Sequence, residues 1–122
     1  MVTAAPVSVL VVDDDPAFAR SLQILLEDEG RCQVSVADSV EQMQAALSTA
    51  RQVDVVIIEL AMLETGHGLE MLRRHGNLAV ILMTAHRAAL QAARCRGVQA
   101  AAFLSKPVEP DTLLAAVCCL AQ

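Results

Sequence analysis

Lysine is all but missing from this chain: Lys106 is the only one, and every other basic side chain is arginine or histidine. Aromatic residues are as sparse, with no tryptophan, no tyrosine and two phenylalanines. No arginine cluster lies among aromatics, and the formal net charge is -5, so a nucleic-acid face is not expected. No apolar run approaches the roughly 18 residues of a membrane span, so no membrane contact is expected either. Met1–Pro6 lacks both a basic start and a long apolar stretch, which argues against a signal peptide and for a cytoplasmic chain. Cysteine motifs are absent too. Cys32, Cys95, Cys118 and Cys119 form no C-x-x-C, and no histidine stands at ligand spacing from a pair. Neighbouring Cys118 and Cys119 on a helix would point apart, which disfavours a bridge. They read as small apolar residues in a reducing compartment.

What is present is apolar. The chain is 55% hydrophobic and 19% charged, which excludes disorder. Its 122 residues suit one domain with a real core; residues 1–7 read as a short N-terminal tail. Apolar runs alternate with segments of helical period. Ser8–Val12, Gln33–Ala37, Val53–Ile58, Ala79–Met83 and Ala101–Ser105 read as strands covered on both faces. Asp15 is placed to cap a first helix, with Pro16 in its first turn, Gly30 at its end and Phe18, Leu22, Leu25 and Leu26 facing inward. Ser39 and Gln42 form a capping box for a second, carrying Val40, Met43 and Leu47. Leu69–Arg74 is a short third, stopped near Gly76, and Arg87–Arg96 a fourth, closed by Gly97. Asp111–Ala121 is the fifth, with Leu113, Leu114, Val117 and Leu120 inward. Five strand-then-helix units imply an α/β fold, a doubly wound five-stranded parallel sheet of order 2-1-3-4-5.

In such a sheet the strand ends share one carboxyl edge, where ligands bind. That edge would collect Asp13, Asp14, Glu59, Thr84 and Lys106. Taken singly, each is ordinary: a helix cap, a turn hydroxyl, a solvated lysine. Taken together, converging acids need a compensating cation. Oxygen ligands suit Mg²⁺, and Lys106 suits a carboxylate or a phosphoryl oxygen.

At these residues the chain resembles the CheY-like receiver domains of two-component response regulators, from Val7 to about Leu120. The run Val9 to Pro16 is similar to the family's opening, with Asp13 and Asp14 as its metal-binding acids. Thr84-Ala85 resembles its hydroxyl and small residue, Phe103 its aromatic switch, and Lys106-Pro107 its lysine and usually cis proline. The resemblance implies a flavodoxin-like fold, phosphorelay signalling without enzymatic turnover, and Mg²⁺ held by Asp13, Asp14, Glu59 and the Ala61 carbonyl, an ion weakly held or absent if Glu59 pairs with Lys106 instead. It implies a histidine kinase or other signalling protein, or an output domain, as partner. Small residues Ala88, Ala89, Ala92, Ala93, Thr112, Ala115, Ala116 and Cys119 would lie along the fourth helix, fifth strand and fifth helix, a face that receivers often use for homodimers; an alanine-rich composition with no interface is the alternative. His67, His75 and His86 read as exposed loop histidines.

One position departs from the pattern. The family carries its phosphoryl group on an aspartate at the end of the third strand, and this chain has Glu59 there. Asp54 lies five residues earlier, at the strand's start, and is no substitute. Met62-Leu63 stands where Met-Pro is frequent, and the segment to Gly68 is one residue longer than usual. An added methylene displaces the carboxylate, and misplacement of about 1 Å can cost about a hundredfold in phosphoryl transfer. Glu59 is therefore expected not to accept a phosphoryl group at a useful rate. Two outcomes stay open: Glu59 imitates the active state through Lys106 or Thr84, or the domain is a fixed interaction module. The rival enzyme reading is a small haloacid-dehalogenase-like phosphatase using Asp13 and Asp15, with Thr84 and Lys106. That family needs a further strand bearing acids after the lysine, whereas Pro107-Val108-Glu109-Pro110 leads into a helix.

Overall fold

Successive strand residues point to opposite faces, so runs apolar at every position need cover on both sides. That cover exists over residues 9–12, 55–58 and 81–84, whereas the edge run Cys32–Ala37 leaves Gln33, Ser35 and Val36 exposed. A computed structural model describes residues 6–28, 30–49, 52–63, 68–95 and 100–121. The strands are β1 (Val7–Val12), β2 (Cys32–Ala37), β3 (Val55–Glu59), β4 (Ala79–Thr84) and β5 (Ala102–Ser105). All pair in parallel, in the order β2-β1-β3-β4-β5. The helices are α1 (Pro16–Glu27), α2 (Val40–Thr49), α3 (Leu60–Leu63), α4 (Gly68–Arg74), α5 (Arg87–Cys95) and α6 (Pro110–Leu120).

Alternation splits the core in two. Val9, Val11, Val55, Ile57, Ile81 and Met83 pack with Ala19, Leu22 and Leu26 of α1 and Leu113 and Val117 of α6. Leu10, Val12, Val56, Ile58 and Leu82 pack with α2 through Met43, α4 through Met71 and Leu72, and α5 through Leu90 and Ala93. Each such buried aliphatic contributes roughly 1.5–3 kcal/mol.

The helix ends follow local chemistry. Asp15 caps α1, its Oδ1 accepting from the Ala17 and Phe18 N–H groups, and Gly30 beyond the helix takes φ +74, a conformation cheap for glycine alone. Ser39 Oγ accepts from the Gln42 N–H. The reciprocal bond differs from a standard capping box, for Gln42 Oε1 accepts from the Asp38 N–H, one residue early. Glu109 caps α6 through the Asp111 and Thr112 N–H groups, so α6 starts at Pro110.

Several expected boundaries move. Val7 belongs to β1, paired with Cys32 and donating to the Arg31 carbonyl; it is not tail, and residues 1–5 lie outside the described set. β3 starts at Val55, and just before it the Asp54 carboxylate accepts from the Ser8 N–H at the sheet's other end. The short helix α3 was not expected, for Leu60–Leu63 is a single turn without a period. Ala93 is fully buried and Ala89 half-buried, because that stripe of α5 faces the sheet; on α5 the expected outer face keeps Ala88 and Ala92. Ala116 is half-buried rather than outward. His75 is half-buried while His86 is exposed; His67 and Gly97 lie outside the described residues. Cys32 is buried, Cys118 half-buried and Cys119 exposed, all as free thiols. Burial raises the Cys32 thiol pKa, with smaller charge contributions.

Candidate functional site

Register sets the site. Val12 lies beside Ile58, Glu59 beside Met83, and Thr84 beside Ser105. The next residues after β1 and β5 are Asp13 and Lys106, so the acids, the hydroxyl and the ammonium meet at one edge. The sheet order reverses direction between β1 and β3, and that is where open α/β sheets leave a crevice.

Lys106 is the centre of the arrangement. Its Nζ donates to Asp13 Oδ2 at 2.8 Å and lies 3.4 Å from Glu59 Oε2. The second contact is an ion pair without hydrogen-bond geometry: among the described residues nothing donates to Glu59 Oε2, although that atom is buried. Asp13 is 3% exposed, and its other oxygen, Oδ1, accepts from the Asp15 N–H at 2.8 Å. The face of Phe18 closes another side of the ammonium, its ring centroid 4.1 Å from Nζ.

The electrostatics follow from crowding. Burial pushes the Glu59 carboxyl above the usual range; Lys106 opposes that shift, and the charges of Asp13 and Asp14 add to it. For Lys106, burial works against the ammonium. The hydrogen bond and charge of Asp13, with the charge of Glu59, outweigh it and leave the lysine pKa raised. One lysine thus serves a buried and a half-buried carboxylate, and Asp13 holds it more closely.

Thr84 is 3% exposed, and its Oγ1 accepts from the His86 N–H at 3.3 Å rather than donating to Glu59 Oε2. Phe103 is half-buried, with the Arg94 guanidinium 4.6 Å above its ring. Asp14 is exposed and lines a cavity of about 780 Å³ with Asp38, Glu41, Ala61 and Met71 among others. Ala61 sits two residues beyond Glu59, in α3. Asp15 is exposed and committed to its cap. The Lys106-Pro107 peptide is cis.

The expected donors for a hard cation are therefore neighbours but do not form a ready metal site. Among the described residues no three carboxylate, histidine or cysteine side chains gather at ligating distance, and both Asp13 oxygens already accept hydrogen bonds. Each of those oxygens keeps a further lone pair, so a divalent ion at Asp13 would share that carboxylate with Lys106.

Residue-by-residue reading had placed Phe18 in the core stripe of α1 and missed its contact with Lys106. The signal was its place in the first turn after the acidic run, near the carboxyl edge. Arg94 over Phe103 was also missed; nothing in the spacing of α5 and β5 announces it.

Residues 9–118 match the response regulator receiver domain family. The chain is 33% identical over 122 residues to response regulator Rre1 of Synechocystis sp., covering 93% of this chain and 51% of that protein. It is 36% identical over 110 residues to the alginate biosynthesis transcriptional regulatory protein AlgB of Pseudomonas aeruginosa, covering 86% and 24%. It thus spans about half or less of these relatives. Among solved structures, chemotaxis protein CheY4 of Vibrio cholerae superposes with a TM-score of 0.80 at 26% identity, over 95% of this chain and 99% of that one. No described helix is long and apolar enough to cross a membrane.

Proposed function

This chain belongs to the response regulator receiver domain family, and from that premise we propose that it signals without accepting a phosphoryl group, with Glu59 as a permanent negative charge at the phosphoacceptor position. One observation carries the reading: the buried Glu59 Oε2 lies 3.4 Å from Lys106 Nζ, while the lysine's hydrogen bond goes to Asp13. The charge is engaged inside the site instead of being offered to a phosphodonor.

The domain acts through protein contacts. Its partner is a signalling protein or an output domain joined to the same polypeptide. Glu59 imitates a phosphoryl group in part: it supplies one negative charge against roughly 1.5 to 2. It meets the lysine, but the Thr84 hydroxyl stays with the His86 N–H. This combination favours a receiver fixed in one state over one that mimics the fully activated state. Lys106, rather than a divalent ion, balances the carboxylates, and Mg²⁺ would compete with it for Asp13.

Intact mass after incubation with a small-molecule acyl phosphate and Mg²⁺, beside a Glu59→Asp variant, tests the reading. We expect a phosphoryl adduct on the variant alone. An adduct on Glu59 of the parent chain would overturn it.

A further inference from the structure

Both aromatic side chains of this chain carry a cation on the ring face: Arg94 on Phe103 and Lys106 on Phe18. The second contact is tied into a closed circuit. Asp13 Oδ1 accepts from the Asp15 N–H at 2.8 Å. Asp15 Oδ1 accepts from the Phe18 N–H at 3.3 Å. The Phe18 ring meets Lys106 Nζ at 4.1 Å, and Nζ returns to Asp13 Oδ2 at 2.8 Å. Phe18 also accepts from Ser21 Oγ at 2.7 Å through its carbonyl. The start of α1 therefore fixes the backbone that carries the ring independently of the lysine, and the ring packs against the core.

From this circuit we infer that Phe18 is a positioning residue for Lys106. Its ring confines the ammonium to the side of the site where Asp13 and Glu59 lie. An ammonium has three N–H donors and no acceptor. Asp13 takes one, and Glu59 draws the charge without a hydrogen bond. A lysine stem is flexible, and its head prefers water. Lys106 is 18% exposed, so a route to solvent exists. The negative face of an aromatic ring attracts a cation without competing for the Asp13 oxygens. An aliphatic residue of similar size would pack against the core but would not hold the charge. This inference rests on the proposed role of Lys106 as the partner of both carboxylates.

The experiment exploits the single lysine. The full chain, labelled with ¹⁵N at lysine Nζ, gives one side-chain ammonium signal. Over a ring face its protons are shifted upfield by the ring current, and their exchange with water is slow. In Phe18→Leu the upfield shift disappears and exchange speeds up about two- to fivefold, the range of a partly exposed cation–π contact. Phe18→Tyr restores both, which a purely structural role would not require. Should the leucine variant fail to fold, the contact between Phe18 ring protons and the Lys106 ε-methylene in the unaltered chain decides the matter. An unshifted ammonium signal in the parent chain overturns the inference, as does a leucine variant with unchanged shift and exchange. Because these readouts use the Glu59 chain without a phosphodonor, they stand or fall separately from the phosphorylation test.

Discussion

Replacing Lys106 by methionine keeps the stem and removes the charge shared by Asp13 and Glu59. At the observed separations of 2.8 and 3.4 Å, the gross attractions are about 6 and about 5 kcal/mol for an effective dielectric of about 20. Desolvation of three charges offsets most of that sum. What the variant leaves behind is two carboxylates, 3% and 14% exposed, with no cation. Removing one partner of a buried pair costs about 3–5 kcal/mol. Because 18% of Lys106 is exposed, the expected loss is the lower figure, about 3 kcal/mol. Glu59→Gln should behave in the opposite way. Burial already disfavours the ionised form of Glu59, so the neutral amide should change stability by less than about 1 kcal/mol, toward a gain. In the Lys106→Met background the same replacement should recover about 1 kcal/mol more, because the repulsion between Asp13 and Glu59 is then uncompensated. Urea unfolding of the four chains, followed by circular dichroism with matched slopes, measures the cycle. If Lys106→Met costs under about 1 kcal/mol, or Glu59→Gln costs over about 2 kcal/mol, this account of the site's charge balance is refuted.

The pH dependence has two arms with the same sign. Both groups have folded pKa values above their unfolded ones, so each contributes stability that is present below its unfolded pKa and lost as pH rises through its folded pKa. The Glu59 arm lies above the ordinary glutamate range and the Lys106 arm above the ordinary lysine range; the difference in melting temperature between the parent and Glu59→Gln as pH rises from the ordinary glutamate range should show the first arm alone. A Mg²⁺ titration of the parent chain should give only weak changes in Lys106 and Asp13 resonances at low millimolar concentration, since Lys106 already compensates the Asp13 charge. At the edge of the sheet, Val34 donates to Glu27 Oε2 at 3.1 Å and accepts from Gln23 Nε2 at 3.2 Å. Glu27→Ala should therefore cost about 1 kcal/mol in urea unfolding, and by opening an edge strand it should raise association seen by light scattering.

Sequence alone determined the layers and their order. Strands apolar at every position require cover on both faces, and alternation with helical segments leads to a parallel doubly wound sheet. That also brings Asp13, Glu59, Thr84 and Lys106 to one edge, because each follows or closes an apolar run. Local capping was legible too, at Asp15 and Ser39, where a side-chain oxygen meets backbone N–H groups a few residues away. What the sequence could not supply was the partner of each group. Whether Lys106 hydrogen-bonds Asp13 or Glu59, whether Thr84 turns to Glu59 or to the His86 N–H, and whether Phe18, packed on the core, also meets the ammonium depend on differences of about an ångström. Those are set by the register of β1, β3 and β5 and by the seating of α1. Short-range pattern reports which residues share an edge. Only the packed structure decides which of them touch, since burial and distance together fix the balance between charge attraction and desolvation.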